Sequence, residues 1–335
     1  MKHNTLHDIA KKLKVSTSTV SRALSNHPDI SKETKEKVKA LAEKLNYTPN
    51  PIAQSLKKNK TSTIGVLVPE IKHDFFSSAI SGIEEAAYHS GYTIIVCQSN
   101  ESYEREVINT NALMNHRVAG MIVSISQQTT TGEHFKKLID RNIPLVFFDR
   151  VCEDVDANKV IIDDEKSAYI AVQHLIEKGY KKIAHFAGPK DLSICKKRLR
   201  GYKEALLENN LPFREEYVLH GGMHETDGYN SMDTLLKKNI VPDAVFCVND
   251  PVAIGAYQRI KEAGLKIPDD IGIVGFSNNK ITTLVEPQIT TVNQPSFEMG
   301  KKSAEILIEM IDNPDKIKEP QTIIVETNLI VRNST

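Results

Sequence analysis

Residues Val15-Ser16-Thr17-Ser18-Thr19-Val20-Ser21-Arg22 place five hydroxyls and one guanidinium within eight positions. An arginine fork matches a guanine edge, hydroxyls donate or accept, and a threonine methyl can meet a thymine methyl. That chemistry suits the reading of DNA bases. A Ser/Thr run also makes a good helix start, and on these residues alone the two readings stand level. Further polar groups follow apolar runs later in the chain. His73, Asp74, Phe75 and Phe76 follow one such run, Asp149 and Arg150 another, and Asp163 and Asp164 a third. If the runs are parallel strands, these positions face a ligand cleft. The alternative is helix capping, which is the favoured reading for Asp163.

The elements that must position the first group are short helices. Thr5 precedes Leu6, Ile9, Ala10 and Leu13, which share one helix face. Lys14-Val15-Ser16 breaks the pattern, and Val20, Ala23 and Leu24 write a second helix with Thr17, Ser18, Ser21 and Arg22 outward. Val38, Leu41, Ala42 and Leu45 write a third, capped by Ser31. Leu6, Ile9, Val20, Leu24, Val38 and Leu41 are expected to form one small core around a helix-turn-helix. Asn46 to Pro51 reads as a non-helical connector, and Ile52 to Lys58 as a helix of about a turn and a half. So short a helix is marginal in water and should order only against a partner.

From residue 61 apolar runs alternate with helical patterns. Strands are expected at 63–68, 92–97, 118–124, 144–148, 160–162, 182–187, 217–219, 244–248 and 271–275, with helices between and a last helix at 297–311. This alternation means parallel sheets buried on both faces, in two doubly wound subdomains with a cleft between them.

Charge separates the two parts. Residues 1–60 carry 13 Lys/Arg and 5 Asp/Glu, a net +8, so the rest of this formally neutral chain carries −8. A basic head on an acidic body is the footprint of a nucleic-acid module joined to something else. No signal peptide opens the sequence, since Lys11, Lys12 and Lys14 interrupt any apolar run, and no stretch nears the roughly 20 apolar residues of a membrane span. Cys97, Cys152, Cys195 and Cys247 lack metal-ligand spacing and read as reduced thiols of a cytoplasmic protein.

The chain resembles the lactose-repressor/galactose-repressor family of bacterial regulators over nearly its whole length. The resemblance rests on Thr5-Leu6-His7-Asp8-Ile9-Ala10, Val15-Ser16, Thr19-Val20-Ser21-Arg22, Leu45-Asn46-Tyr47-Thr48-Pro49-Asn50 and Ala53-Gln54-Ser55-Leu56. It implies a helix-turn-helix head and a body of periplasmic-binding-protein type that crosses between subdomains three times. It implies residues 1–48 as the DNA-binding domain, 49–60 as a hinge-helix linker, and 61–335 as an effector-binding and dimerisation domain. The subdomains of that body would be about 61–160 with 294–325, and 161–293 with 326–335. DNA contact would fall to Thr5, Leu6, Ser16, Thr17, Ser18, Thr19, Ser21, Arg22, Asn26, Tyr47, Asn50, Ala53 and Leu56. Leu56 from each of two subunits would wedge the minor groove at the centre of a near-palindromic operator.

The same resemblance places an effector against Phe75, Phe76, Asp149, Arg150, Arg198, Asn249, Asp250, Ser277 and Gln294. Phe147-Phe148-Asp149-Arg150, Arg198-Leu199-Arg200-Gly201-Tyr202, Phe246-Cys247-Val248-Asn249-Asp250 and Thr290-Thr291-Val292-Asn293-Gln294 match the family's cleft segments. Carboxylate, guanidinium, amide and aromatic groups together suit a sugar or sugar derivative. For Arg198 the plainer alternative is a solvated helix charge, and for Asn249 and Asp250 a helix cap. Gly275-Phe276-Ser277-Asn278-Asn279 departs from the family's Gly-Phe/Tyr-Asp-Asp, which leaves room for an anionic ligand, with Lys280 nearby.

An enzyme is the first competing class, but neither Gly-x-Gly-x-x-Gly after a strand nor Gly-x-x-x-x-Gly-Lys-Ser/Thr occurs. His185 has no nucleophile motif beside it. An exported sugar-binding protein is the second, opposed by the basic head. The expectation is a cytoplasmic, homodimeric repressor with no cofactor or metal and no membrane partner, binding double-stranded DNA under control of a small molecule.

Overall fold

The computed structural model describes residues 5–45, 47, 61–317 and 319–335. Asn50, Ala53 and Leu56 lie outside the described residues, as do the expected connector and hinge helix apart from Tyr47. Contacts divide the chain into Met1–Thr61 and Ser62–Thr335.

In the first unit α1 spans Leu6–Leu13, α2 Thr17–Leu24 and α3 Lys32–Lys44. Each has a hydroxyl cap: Thr5 in a capping box with Asp8, Ser16 for Thr19, and Ser31 for Thr34. Lys14 turns the chain in the left-handed conformation, at φ 52°. The core differs from the expected one. Ile9, Ala10, Val20, Ala23, Val38 and Ala42 are fully buried, whereas Leu6, Leu24 and Leu41 pack around them half-buried. Short helices that cross closely leave room at the centre for alanine, and the longer leucines fill the rim.

The second unit holds two six-stranded sheets. The first comprises β1 (Thr63–Val68), β2 (Thr93–Gln98), β3 (Gly120–Val123), β4 (Leu145–Phe148) and β5 (Asn158–Ile162), with α4 (Asp74–His89), α5 (Tyr103–Asn115) and α6 (Glu133–Asp140) among them. After α7 (Asp164–Glu177) the chain builds β6 (Ile183–Phe186), α8 (Ser193–Glu208), β7 (Val218–Leu219), α9 (Glu225–Lys237), β8 (Ala244–Cys247), α10 (Asp250–Glu262), β9 (Gly272–Phe276) and β10 (Thr290–Asn293). Helix α11 (Ser296–Asp312) returns to pack on α4, β3, β4 and β5. Strands β11 (Thr322–Val325) and β12 (Asn328–Ile330) then finish one sheet each. The chain thus passes between sheets after β5, after β10 and after β11.

Strand order is β11-β5-β4-β3-β1-β2 in one sheet and β12-β10-β9-β8-β6-β7 in the other. All pairs are parallel except β10 with β12. Strands β10, β11 and β12 fall outside the segments expected as strands. Thr290–Asn293 is polar at three of four positions, whereas Thr322–Val325 and Asn328–Ile330 are short apolar runs that the strand pattern left open to discovery. Both sheets reverse order between their first and third strands, so each points its carboxyl ends, at a switch point, toward a common cleft.

Helices α4 and α11 meet backbone to backbone. A Cβ at Gly82 would overlap the carbonyl oxygen of Phe297, and one at Gly300 that of Ala79. Rigid carbonyls cannot swing aside, so the helices would have to separate. Gly82→Ala is expected to lower stability by about 1–3 kcal/mol, read as an earlier urea midpoint of the full chain; an unchanged midpoint would mean that the helices can part freely.

Candidate functional site

On the head, Thr17, Ser18, Arg22 and Asn26 are exposed, and Ser21 is half-buried. The remaining candidates have structural work. Ser16 Oγ accepts from Thr19 N at 3.0 Å and lies 2.7 Å from Ser18 Oγ and 2.8 Å from Thr19 Oγ1. Thr5 Oγ1 donates to Asp8 Oδ2 at 2.8 Å. Leu6 and Tyr47 pack on the head core. Arg22 Nη1 stands 4.0 Å from Asp29 Oδ2 with both side chains more than half exposed, a loose tether that leaves the guanidinium able to turn to a ligand. Asn26 follows α2 at φ 56°. The outward surface of α2 therefore offers a guanidinium, two hydroxyls and an amide, all compatible with base edges.

In the body, loops at the carboxyl ends of both sheets line one narrow cavity with about 30 Å³ of free space, part open to solvent. Phe75, Phe76, Asp149, Arg150, Arg198, Asn249, Ser277 and Gln294 line it, joined by His73, Ile194, Met223, Pro251 and Asn279. Asp250 does not. It is wholly buried, accepting from Thr291 Oγ1 at 2.7 Å and Asn279 N at 2.6 Å. Burial pushes its carboxyl up to about 6. It anchors the Ser277–Asn279 loop rather than facing a ligand. Its neighbour Asn249 caps α10 through Val252 N at 3.0 Å and donates to Met223 O at 2.9 Å.

Arg198 is not a solvated helix charge. It is 1% exposed, because α8 turns it inward against α7. Its Nε and Nη2 lie 2.9 and 2.8 Å from Asp164 Oδ1, and Nη1 donates to Val248 O at 2.5 Å. The guanidinium carbon sits 3.6 Å from the centre of the Phe276 ring. Burial raises the pKa of Asp164 and Arg198 opposes that. Asp163, as expected, caps α7 through Lys166 N at 3.0 Å. Asp74 caps nothing; its Oδ2 accepts from Lys280 N at 3.0 Å, across the cleft. Lys280 itself is exposed and does not line the cavity.

Asp149 takes φ 59°, an uncommon conformation for a residue with a Cβ. Its Oδ1 accepts from Gln294 Nε2 at 3.3 Å, while Gln294 Oε1 accepts from Ser277 Oγ at 2.8 Å. This chain of three side chains runs from one subdomain to the other. Desolvation raises the Asp149 carboxyl to about 6 against the pull of Arg150 and Arg198. Arg150 gives Nη1 to both oxygens of Glu101 at 2.8 and 3.0 Å, and its buried Nε has no hydrogen-bond partner among the described residues. Asp164, a strand-end candidate, and Glu101, which was not foreseen, balance the two arginines. Glu101 stands far from any matched motif, whereas Ile194, Met223 and Pro251 obey the strand-end rule and were open to discovery.

His185 is a core residue. It stacks on Phe246 and Tyr202, and burial lowers it to about 3. Among the described residues no helix is long and apolar enough to cross a membrane.

A helix-turn-helix head and a two-subdomain α/β cleft define a DNA-binding regulator with a ligand-binding domain. Residues 5–50 match the model of bacterial regulatory proteins of the lacI family, and 61–333 that of periplasmic binding proteins and the sugar-binding domain of the LacI family. The chain belongs to the lacI family. It is 36% identical over 332 residues to the HTH-type transcriptional repressor PurR of Vibrio campbellii, covering 98% of each chain. The lac repressor dimer bound to operator and the anti-inducer ONPF superposes with a TM-score of 0.88 at 27% identity, over 99% of each chain. A LacI-family regulator from Enterococcus faecium with bound ribose gives 0.74 at 30% identity, over 82% of this chain and 98% of that one. The chain is thus a transcriptional repressor and not an enzyme.

Two outcomes test the cleft. Arg198→Ala strands Asp164 as an uncompensated buried charge and is expected to destabilise the chain by about 3–5 kcal/mol. Adding Asp164→Asn should recover much of that loss in urea melts; a single variant as stable as wild type would break the pairing argument. For Asp149 the raised pKa means the folded state holds its proton more tightly than the unfolded state does. The ionised carboxylate therefore weakens folding increasingly as pH climbs from the ordinary carboxylate range to about 6, and by a constant amount above. Asp149→Asn should be the more stable protein at pH 7.5, with the gap closing toward pH 4 in paired thermal melts.

Proposed function

We propose that this repressor binds a near-palindromic operator as a homodimer in the cytoplasm, and that a small neutral polyol closes its cleft to set operator affinity. Residues 1–48 would read DNA, 49–60 would form the hinge, and 61–335 would bind effector and dimerise, in subdomains of about 61–160 with 294–325 and 161–293 with 326–335. Thr17, Ser18, Ser21, Arg22 and Asn26 would face bases in the major groove. Thr5, Leu6, Ser16, Thr19 and Tyr47 would fix the helices that present them. Asn50, Ala53 and Leu56 would meet the minor groove, with Leu56 the wedge.

The observation that carries the effector reading is the meeting of eight candidate side chains from both subdomains in one cavity. Both arginines there already hold carboxylates, Arg150 with Glu101 and Arg198 with Asp164. Among the described residues that line the cavity, neither arginine is free of a carboxylate, and Asp149 adds a negative charge when ionised. That balance favours a neutral ligand over the anionic one for which the Ser277-Asn278 substitution leaves room. Phe75 and Phe76 offer an apolar wall, while Asp149, Asn249, Ser277 and Gln294 offer hydroxyl partners. Hydroxyl partners beside an apolar wall suit a neutral, monosaccharide-like molecule. Ribose in the Enterococcus faecium regulator is of that class.

The experiment is selection of sites by the full chain from a random duplex library at near-physiological salt, without and with a panel of neutral monosaccharides. Enrichment of a two-fold site with a flexible pyrimidine–purine step at its centre is expected. No enrichment under any condition would overturn the reading of the head. Leu56→Ala should weaken the selected site by about tenfold or more while barely changing affinity for random DNA. Equal losses on both would remove the wedge.

A further inference from the structure

Glu70 and His73, on the loop that leaves β1, face His224, which precedes α9 in the other subdomain. Glu70 Oε2 stands 3.5 Å from His73 Nε2, and Glu70 Oε1 stands 3.8 Å from His224 Nε2. The imidazole centres are 5.7 Å apart and tilted by 33°. One ligand atom from each of the three residues falls within 4.8 Å of the other two.

Those spacings are too wide for hydrogen bonds. They are close to the ~3.4 Å that separates two ligands of one tetrahedral zinc ion with bonds of about 2.1 Å. Glu70 Oε2 is buried and has no hydrogen-bond partner among the described residues. The nearest competing cation is Lys72, whose ammonium is 3.6 Å from Glu70 Oε2 but whose side chain is 73% exposed, and it can swing away at little cost. Backbone order supports the arrangement: His224 N donates to Asp227 Oδ2 at 3.0 Å, fixing the residue at the helix start. Two imidazoles and one carboxylate are the donor set that borderline divalent metals prefer.

We propose that Glu70, His73 and His224 form a site for a divalent first-row transition metal, zinc foremost, that ties the two subdomains together across the mouth of the cleft. A metal held by all three favours the closed arrangement, since opening would pull His224 from the other two ligands. His73 also lines the effector cavity, so metal and effector act on the same closure. The site does not depend on which effector is bound.

The test is titration of chelator-treated full-length protein with zinc alone, read by competition with a chromogenic chelator and by thermal melting. Wild type is expected to hold one tight equivalent per chain and to melt higher with zinc. Losing even an outer partner of a metal ligand weakens binding about 10–100-fold, so H224A, H73A and E70Q should each weaken that equivalent by at least about tenfold and abolish the thermal shift. H116A, which removes an exposed imidazole on another surface, should change neither. Variants that fold are identified by binding to the selected operator, and that readout fails separately if the DNA reading is wrong. Zinc binding equal in wild type and H224A overturns the proposal, as does a wild type without a tight equivalent. Dependence on His73 and Glu70 but not on His224 overturns the bridge.

Discussion

A guanidinium withdrawn from water must be met by a carboxylate and by enough acceptors to use its donors, or the fold cannot tolerate it. Arg198 meets that demand with Asp164 at the start of α7, the carbonyl of Val248 after β8, and the ring of Phe276 at the end of β9. One side chain on α8 thereby fixes where three strand-to-helix connections end. Those ends are the wall of the cleft. A pair of this kind adds little to stability compared with an apolar replacement, so its value lies in the geometry it specifies.

The other wall is built on the same plan with different parts. Arg150 is held by Glu101, and Asp149 is held in an unusual backbone conformation beside it. Between the walls, Gln294 takes a hydrogen bond from Ser277 and gives one to Asp149. Gln294 follows β10, where the chain leaves one sheet for the other. A ligand that engages Asp149 or Ser277 competes for the bonds that set the spacing of the walls. Under the proposed effector role, binding and closure would be two descriptions of one rearrangement of hydrogen bonds. Asp250, excluded from the cavity, ties the Ser277–Asn279 loop to β10 through Asn279 N and Thr291 Oγ1.

Much of this was legible in the sequence because it rests on periodicity. The apolar positions of α1, α2 and α3 give the head, and alternating apolar runs give two parallel sheets. Strand ends then locate the cleft without any side-chain geometry. What escaped were quantities set by long-range packing. The head core takes Ala10, Ala23 and Ala42 beside Ile9, Val20 and Val38 and leaves the leucines at its rim, a choice set by how the helices meet and not by any local pattern. Arg198 has Lys196, Lys197 and Arg200 as neighbours and looks solvated until α7 is placed against it. Glu101 and Asp164 become partners of arginines 49 and 34 residues away only when the sheets form. Strand β10 is polar because its buried threonines hydrogen-bond Asp250 and the Arg332–Thr335 segment.

Electrostatics then narrows the chemistry the cleft accepts. Counting cationic residues near the strand ends suggests attraction for acids, but each arginine arrives with its own carboxylate, and Asp149 is the charge left over. Its raised pKa shows that the fold pays to keep it there, since an amide would pack as well without the desolvation penalty. A destabilising carboxylate lining a cavity is what the proposed neutral effector would use. Neutral hydroxyls can donate to such a group and relieve it, whereas a ligand anion would add repulsion to an already unfavourable burial. Under the proposed effector role, the residue that weakens the empty fold would be the one that gains most when a hydroxyl donates to it.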